Sequence, residues 1–389
     1  MEENKTRFQK IKENPLSWMF NGDLFFLTLN SIFLLMVIFI IISIFSSIFS
    51  NNLVDPEGKA LVINPIGPIV EQISGPSDPF QTLLIGEQSS ELYVGDLLEV
   101  LEAASNDKRI KDLVLRLDNI SGTGQAVLYD VGIALKKVKD SGKRIIAIGD
   151  EYSESGFYLA SFADEIIMNP EGWILLDGFD RSKMYYKSFL DKLKISANVI
   201  RVGTFKSAVE PYLRDDMSDA AKEANLAYLD ILWSSWVEVV SANRSLTPES
   251  IQYLVDNTDE LVKKSKKGTA EAFLNYGMID KLLTRTEQRE YMVELFGESE
   301  TKESFNQISG GSYYQVLQDE KKTKTSDNKI AVVVARGTIM DGDQPPGTIG
   351  GDSTSRLIKD AYEDEAVKAI VLRVDSGGGG VFASEVIRQ

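Results

Sequence analysis

Two short segments of this sequence carry residue types that could do covalent chemistry. One is GTFKSA at 203–208, where Lys206 stands among small and apolar neighbours; the other is DSGGGGV at 375–381, a glycine run between a β-like stretch and a helical pattern at 382–387. A lysine serves as general base once it is neutral. Glycines at a helix start let backbone N–H groups approach a ligand and face developing negative charge. Neither segment decides a function alone. On composition alone Lys206 reads as a surface lysine and the glycine run as a plain strand-to-helix turn, with an oxyanion hole or a phosphate cradle as the alternatives for the run. The run lacks the Lys-Ser/Thr ending of a phosphate loop and the spacing of a dinucleotide fingerprint.

Two absences narrow the chemistry. The 389 residues include no histidine and no cysteine, which removes the Ser-His-Asp triad, the Cys-His dyad and zinc sites built on imidazole or thiolate. A hydrolase of this composition needs a lysine, a carboxylate or a terminal amine as base. The missing cysteines exclude disulfides and leave the compartment open. With 42 basic and 58 acidic residues the formal charge is −16, so the body repels nucleic acid phosphates. The longest basic cluster, Lys263, Lys264, Lys266 and Lys267, has no interleaved aromatics and reads as a solvated helix end.

The elements that must position these residues are those of an α/β fold on parallel strands. Residues 60–64, 113–117, 144–148 and 165–168 read as strands, and 96–104 and 125–138 as helices. Ser218 is a plausible N-cap for a long helix reaching Val240, and Thr247 before Pro248 starts another. Trp233, Trp236 and Val240 fall at helical spacing and are expected in the core. The chain also repeats itself. RIKDLVLRL at 109–117 recurs as AVKAIVLRV at 366–374, each followed by an aspartate (Asp118, Asp375), and 61–69 aligns with 332–340. A polar linker is expected over 307–328.

No charged residue occurs from Leu24 to Val54, and roughly 20 apolar residues cross a bilayer as a helix. A transmembrane helix is therefore expected at 24–49. Lys5, Arg7, Lys10 and Lys12 precede it, which places residues 1–23 in the cytoplasm and the globular part outside it. A cleaved signal peptide is the rival reading, for which 46–51 (SSIFSN) makes a poor cleavage site.

Three segments, RVGTFKSAVEPYLRDDMS at 201–218, GTAEAFLNYGMIDKL at 268–282 and GGDSTS at 350–355 continuing to ASEVIR at 383–388, resemble the long, two-repeat signal peptide peptidases of family S49. The resemblance implies a serine/lysine peptidase on ClpP/crotonase-like α/β repeats after one transmembrane helix, the first repeat complete and the second truncated. The first repeat is then 55–306, and the second starts at 329 and runs to 389. Lys206 matches the family's general base, and Gly378 and Gly379 its oxyanion hole, with Gly377 where a proline is common. A free lysine is neutral in only about one molecule in 2,500 at pH 7, so an apolar pocket has to favour the neutral form.

The family nucleophile sits in an Ala-Ser-Gly-Gly turn of the second repeat, for which this chain has no match. The corresponding turn of the first repeat, GDEYSESGFY at 149–158, holds Glu154 at that position, flanked by Ser153 and Ser155. The implied activity is degradation of cleaved signal peptides at the bacterial inner membrane by a homo-oligomer, a tetramer, without metal or cofactor and without nucleic acid. The chain as given is expected to be inactive alone. A non-catalytic oligomeric scaffold is the alternative, and an acyl-CoA enzyme of crotonase type is disfavoured by the anchor and the Lys206 motif.

Overall fold

The computed structural model describes residues 31, 33–40, 53–73, 91–265, 268–321 and 328–389. The chain divides into two compact units, 1–53 and 54–389. Most of the segment expected to span a membrane lies outside the described residues. Of that segment, Ser31 and residues 33–40 are helical, with Phe33, Leu34, Leu35 and Phe39 exposed. Among the described residues no helix is long and apolar enough to cross a membrane.

The larger unit opens with β1 (Lys59–Ile63), β2 (Ile69–Val70), β3 (Leu92–Tyr93), α1 (Val94–Asn106), β4 (Ile110–Arg116), α2 (Gln125–Asp140), β5 (Ile145–Gly149), α3 (Glu154–Ala160) and β6 (Glu165–Met168). Then come α4 (Lys187–Lys192), a 3₁₀ turn at Glu210–Tyr212, α5 (Asp219–Arg244), α6 (Pro248–Asp256), α7 (Thr258–Lys264), α8 (Thr269–Asn275), β7 (Lys281–Leu282) and α9 (Arg285–Phe296). Six parallel strands form one sheet, in the order β7-β6-β5-β4-β1 and then a later strand, β8 (Gln307–Ser309).

Parallel strands covered on both faces must be apolar throughout, and all five residues of β5 are buried. On one face α1 contributes Val94, Leu97, Val100, Leu101 and Ala104, and α2 contributes Val127, Leu128, Val131, Leu135 and Val138. These positions repeat at three and four residues, the spacing of one helix face. On the other face Met292 and Phe296 of α9 pack on Ala60, Val62, Val114, Ile146, Ile148 and Ile167.

The stretch expected to be a linker is ordered over most of its length. Residues 307–309 are β8, paired with β1, and α10 (Gly310–Lys321) packs on α1. Its polar composition concealed Ile308, Tyr313 and Val316, all buried, with Tyr313 Oη donating to Asp107 at 2.9 Å. The first copy therefore extends to about Lys321.

The remaining elements are β9 (Lys329–Arg336), β10 (Ile339–Met340), β11 (Ile349–Gly350), α11 (Gly351–Glu363), β12 (Val367–Asp375) and α12 (Val381–Arg388). They duplicate β1, β2, β3, α1, β4 and α2 in the same order. Even an irregularity is shared. Lys59 pairs with Ile110 and then Leu61 with Leu113, while Lys329 pairs with Val367 and then Ile330 with Ala369, so each copy has one extra residue on its second strand.

This ladder sets the correspondence between copies: Leu61 with Ala331, Gly67 with Gly337, Ile69 with Ile339 and Arg116 with Arg373. It moves the sequence alignment of 61–69 by one position. Gly67 and Gly337 both take positive φ, +76° and +102°, which explains a glycine in both copies. In the second copy, Ile330, Val332, Val371, Leu372 and Val374 remain exposed.

Candidate active site

Lys206 lies on the long connection between β6 and α5. Its aliphatic stem crosses Gly203, at which a Cβ would stand 3.5 Å from Lys206 Cγ. Its backbone is braced from both sides. Lys206 N–H donates to the Gly203 carbonyl at 3.4 Å, and its own carbonyl accepts from Arg201 Nη1 at 2.8 Å. Arg201 stands 3.7 Å from Glu210. The buried Glu210 carboxylate accepts from Ser218 Oγ at 2.6 Å and from Ser218 N–H at 3.2 Å. Ser218 is the N-cap of α5, its Oγ accepting from Ala221 N–H at 3.2 Å.

Glu210 thus joins the lysine loop to the helix start, and the Ser218 hydrogen bonds hold its carboxyl below the usual carboxylate range. Sequence reasoning singled out the whole motif without assigning this role to Glu210 or Arg201. A buried carboxylate eight residues before a helix cap has no periodic signature, so only its position inside the motif pointed to it.

The loop is apolar and open. Lys206 itself is exposed, and around it in the chain Leu193, Ile195, Ile200, Val202 and Phe205 are also exposed, Ile200 completely. The apolar pocket that a lysine base requires is not supplied by the described residues. A surface that covered these side chains would supply it.

At the second motif, Gly378 has φ +107°, and a Cβ on Gly379 would lie 2.1 Å from the Ile339 carbonyl oxygen. No other residue fits either place without backbone movement. Ile339 N–H donates to the Gly378 carbonyl at 3.1 Å and Gly380 N–H to the Ile339 carbonyl at 2.8 Å, so the run is stitched to β10. Gly378 N–H donates to Ser376 Oγ at 3.0 Å, and Ser376 Oγ donates to the Gly337 carbonyl at 2.6 Å. Gly379 N–H has no acceptor among the described residues. Of the two glycines expected to form an oxyanion hole, one N–H is therefore occupied within its own turn. No hydrogen bond or ion pair among the described residues links this turn to Lys206.

The first copy's counterpart of this turn is closed. Thr123 Oγ1 accepts from Ile69 N–H at 3.0 Å in a buried contact. At the start of α3, Ser153 is an N-cap: its Oγ accepts from Gly156 N–H at 3.1 Å and donates to the Ile120 carbonyl at 3.3 Å. Glu154 turns its carboxylate onto Gly178 N–H at 2.5 Å, and burial raises its pKa. Trp236 Nε1 donates to the Glu154 carbonyl at 3.2 Å. Glu154 and Ser153 are thus engaged in holding the fold. No cluster of three or more acidic residues able to hold a metal ion occurs among the described residues.

Comparison with known proteins places this geometry. Residues 137–293, which include both the Glu154 turn and Lys206, match the model of peptidase family S49. The chain is 41% identical over 312 residues to Protease 4 of Salmonella typhi, covering 78% of this chain and 49% of that protein. The chain belongs to peptidase family S49. Protease 4 of Haemophilus influenzae is 39% identical over 300 residues, covering 76% of this chain and 48% of that protein. The S49 chain thus spans about half the length of the curated relatives it matches. Among solved structures, a membrane-bound stomatin-specific protease in complex with a substrate peptide aligns at TM-score 0.27 and 14% identity, covering 60% of this chain and 80% of that one. An enoyl-CoA hydratase/isomerase family protein from Silicibacter pomeroyi aligns at TM-score 0.27 and 13% identity, covering 52% of this chain and 69% of that one.

Proposed function

We propose that this chain is the base-bearing part of a membrane-anchored Ser/Lys endopeptidase that degrades cleaved signal peptides and other hydrophobic peptides. Membership in a serine peptidase family is the starting point. What carries the reading further is Lys206, held on a braced, apolar, open loop in a chain without histidine or cysteine. A serine peptidase lacking imidazole needs an amine or a carboxylate as base, and this lysine sits inside the family-matched region.

In the proposed mechanism Lys206 Nζ, neutral in its covered state, takes the proton of a serine hydroxyl as that oxygen attacks the peptide carbonyl. The tetrahedral oxyanion is met by backbone N–H groups of the Gly378–Gly379 turn. For Gly378 this requires its N–H to leave Ser376. Collapse of the intermediate returns the proton to the leaving amine and leaves an acyl-enzyme, which water then resolves. The serine is proposed to come from sequence outside these 389 residues, because Ser153 is committed as a cap and Glu154 stands at the matching turn. The apolar side chains around Lys206 suit a hydrophobic substrate.

The test is a peptidase assay in detergent with an unstructured hydrophobic peptide. The 389-residue chain alone is expected to show no turnover, and the chain extended by the C-terminal half of an S49 relative is expected to show it. Turnover by the chain alone that survives Ser153→Ala and Ser155→Ala but is lost with Lys206→Ala would place the nucleophile elsewhere in this sequence. Absence of turnover in the extended protein would leave the scaffold reading in its place.

The proposed location is the inner membrane, with the body outside the cytoplasm. Reporter fusions after residue 60 are expected to behave as exported and fusions before residue 20 as cytoplasmic. A mature N-terminus near residue 50 would instead identify a cleaved leader.

A further inference from the structure

A cavity lined by neither Lys206 nor the glycine turn opens at the carboxyl ends of β4 and β5, where parallel sheets place their ligand crevices. It measures about 350 Å³ and is bordered by Arg116, Asp118, Ile148, Asp150, Arg285 and Gln288, all from the first copy. Arg116 is the last residue of β4, and Ile148 is the last but one of β5.

Gln288 shows that the cavity is built to hold something polar. Its side chain is 5% exposed, and Nε2 donates to the Leu283 carbonyl at 2.9 Å and to the Gly149 carbonyl at 3.2 Å. Its Oε1 accepts from no group among the described residues. A buried amide oxygen is stabilised only when a donor reaches it, and the cavity is where that donor can stand.

The charged groups are also only partly used. Asp118 accepts from Asp150 N–H on Oδ1 at 2.5 Å, and its Oδ2 has no partner among the described residues. Arg285 gives Nε and Nη2 to Asp150 Oδ2 at 2.7 and 2.5 Å, which leaves Nη1 without a partner among them. Arg116 is exposed and makes no hydrogen bond or ion pair among them. Asp150 alone is satisfied, since its Oδ1 accepts from Asn169 Nδ2 at 2.9 Å.

We propose that this cavity binds a free α-amino acid, its carboxylate on Arg116 and Arg285 and its ammonium on Asp118 Oδ2 and Gln288 Oε1. A guanidinium matches a carboxylate through paired N–H donors. A simple anion would face two aspartates and leave both acceptors empty, and a simple cation would face two arginines. Only a zwitterion satisfies both ends. The volume lies at the small end of ligand pockets, which suits a single amino acid. The inference does not rest on the peptidase reading and is tested without turnover.

The experiment is calorimetric titration of the full 389-residue chain in detergent with each of the standard amino acids in turn. At least one is expected to bind saturably at a single site with a Kd of about 1 mM or tighter. The amide of that amino acid, which lacks the carboxylate, and its deaminated acid, which lacks the ammonium, are each expected to bind about tenfold or more weakly. Arg116→Ala and Asp118→Asn are expected to weaken binding by about tenfold or more as well. Both should fold, because Arg116 has no partner to lose among the described residues and asparagine keeps an oxygen for Asp150 N–H. Circular dichroism checks this. Lack of saturable binding by every amino acid would mean that the cavity holds only water and would overturn the proposal. Equal binding of the amide or the deaminated acid, or unchanged affinity in either variant, would overturn it too.

Discussion

Replacing Lys206 by alanine, in a protein that carries the C-terminal half as well, is expected to lower peptide turnover by about 10²–10⁴-fold, the range of a lost general base. Folding should be untouched, because the side chain is exposed and crosses only Gly203. Its backbone partners, Gly203 and Arg201, bind main-chain atoms that alanine retains. Lys206→Arg should be equally inactive: a guanidinium keeps the charge and reach of lysine but does not release its proton near neutral pH. Steady-state kinetics with circular dichroism as a folding control decide the matter. The loss should fall on kcat, since the base acts in the transition state and contributes little to substrate binding. Either variant retaining most of the wild-type turnover would remove Lys206 from the mechanism.

The largest loss of stability is expected at Trp236. This side chain is fully buried, its ring stacks on Trp233 with centroids 5.2 Å apart and planes 7° apart, and it lies 6.4 Å from Phe157. Its indole N–H also holds the Glu154 carbonyl. Trp236→Ala removes the packing, leaves a cavity and strands a carbonyl, at a cost of about 3–5 kcal/mol. Trp236→Phe keeps most of the packing and loses mainly the hydrogen bond, about 1 kcal/mol. Urea unfolding followed by circular dichroism measures both. Equal costs for the two variants would mean that the hydrogen bond, and not the ring, fixes α5 to the first copy's α3.

That anchor bears on the proposed base because Glu210 ties the lysine loop to Ser218, the N-cap of α5. The fully buried Trp236 and the exposed Lys206 are thus the two ends of one arrangement, a fixed helix that presents a loop without covering it.

Much of this was legible in the sequence because it rests on local rules. Thr247 before Pro248, Ser218 at the start of α5 and the apolar spacing of α1 and α2 are written in neighbouring residues, and the structure places those elements as expected. The absence of histidine and cysteine alone narrowed a hydrolase's base to a lysine, a carboxylate or a terminal amine. The motif around Lys206 pointed to the same family that the comparisons show.

Other features were decided by tertiary contact. The polar stretch at 307–321 became β8 and α10 because β1 offered a free edge and α1 a face, and no local pattern encodes a partner nearly 250 residues away. The copies' alignment was off by one because hydrophobic similarity tolerates a slip that paired backbone hydrogen bonds do not. Composition gave Glu71 and Arg373 their charges. Only the fold set that these two groups, one from each copy, meet as a pair, since pairing depends on where separate strands end in space.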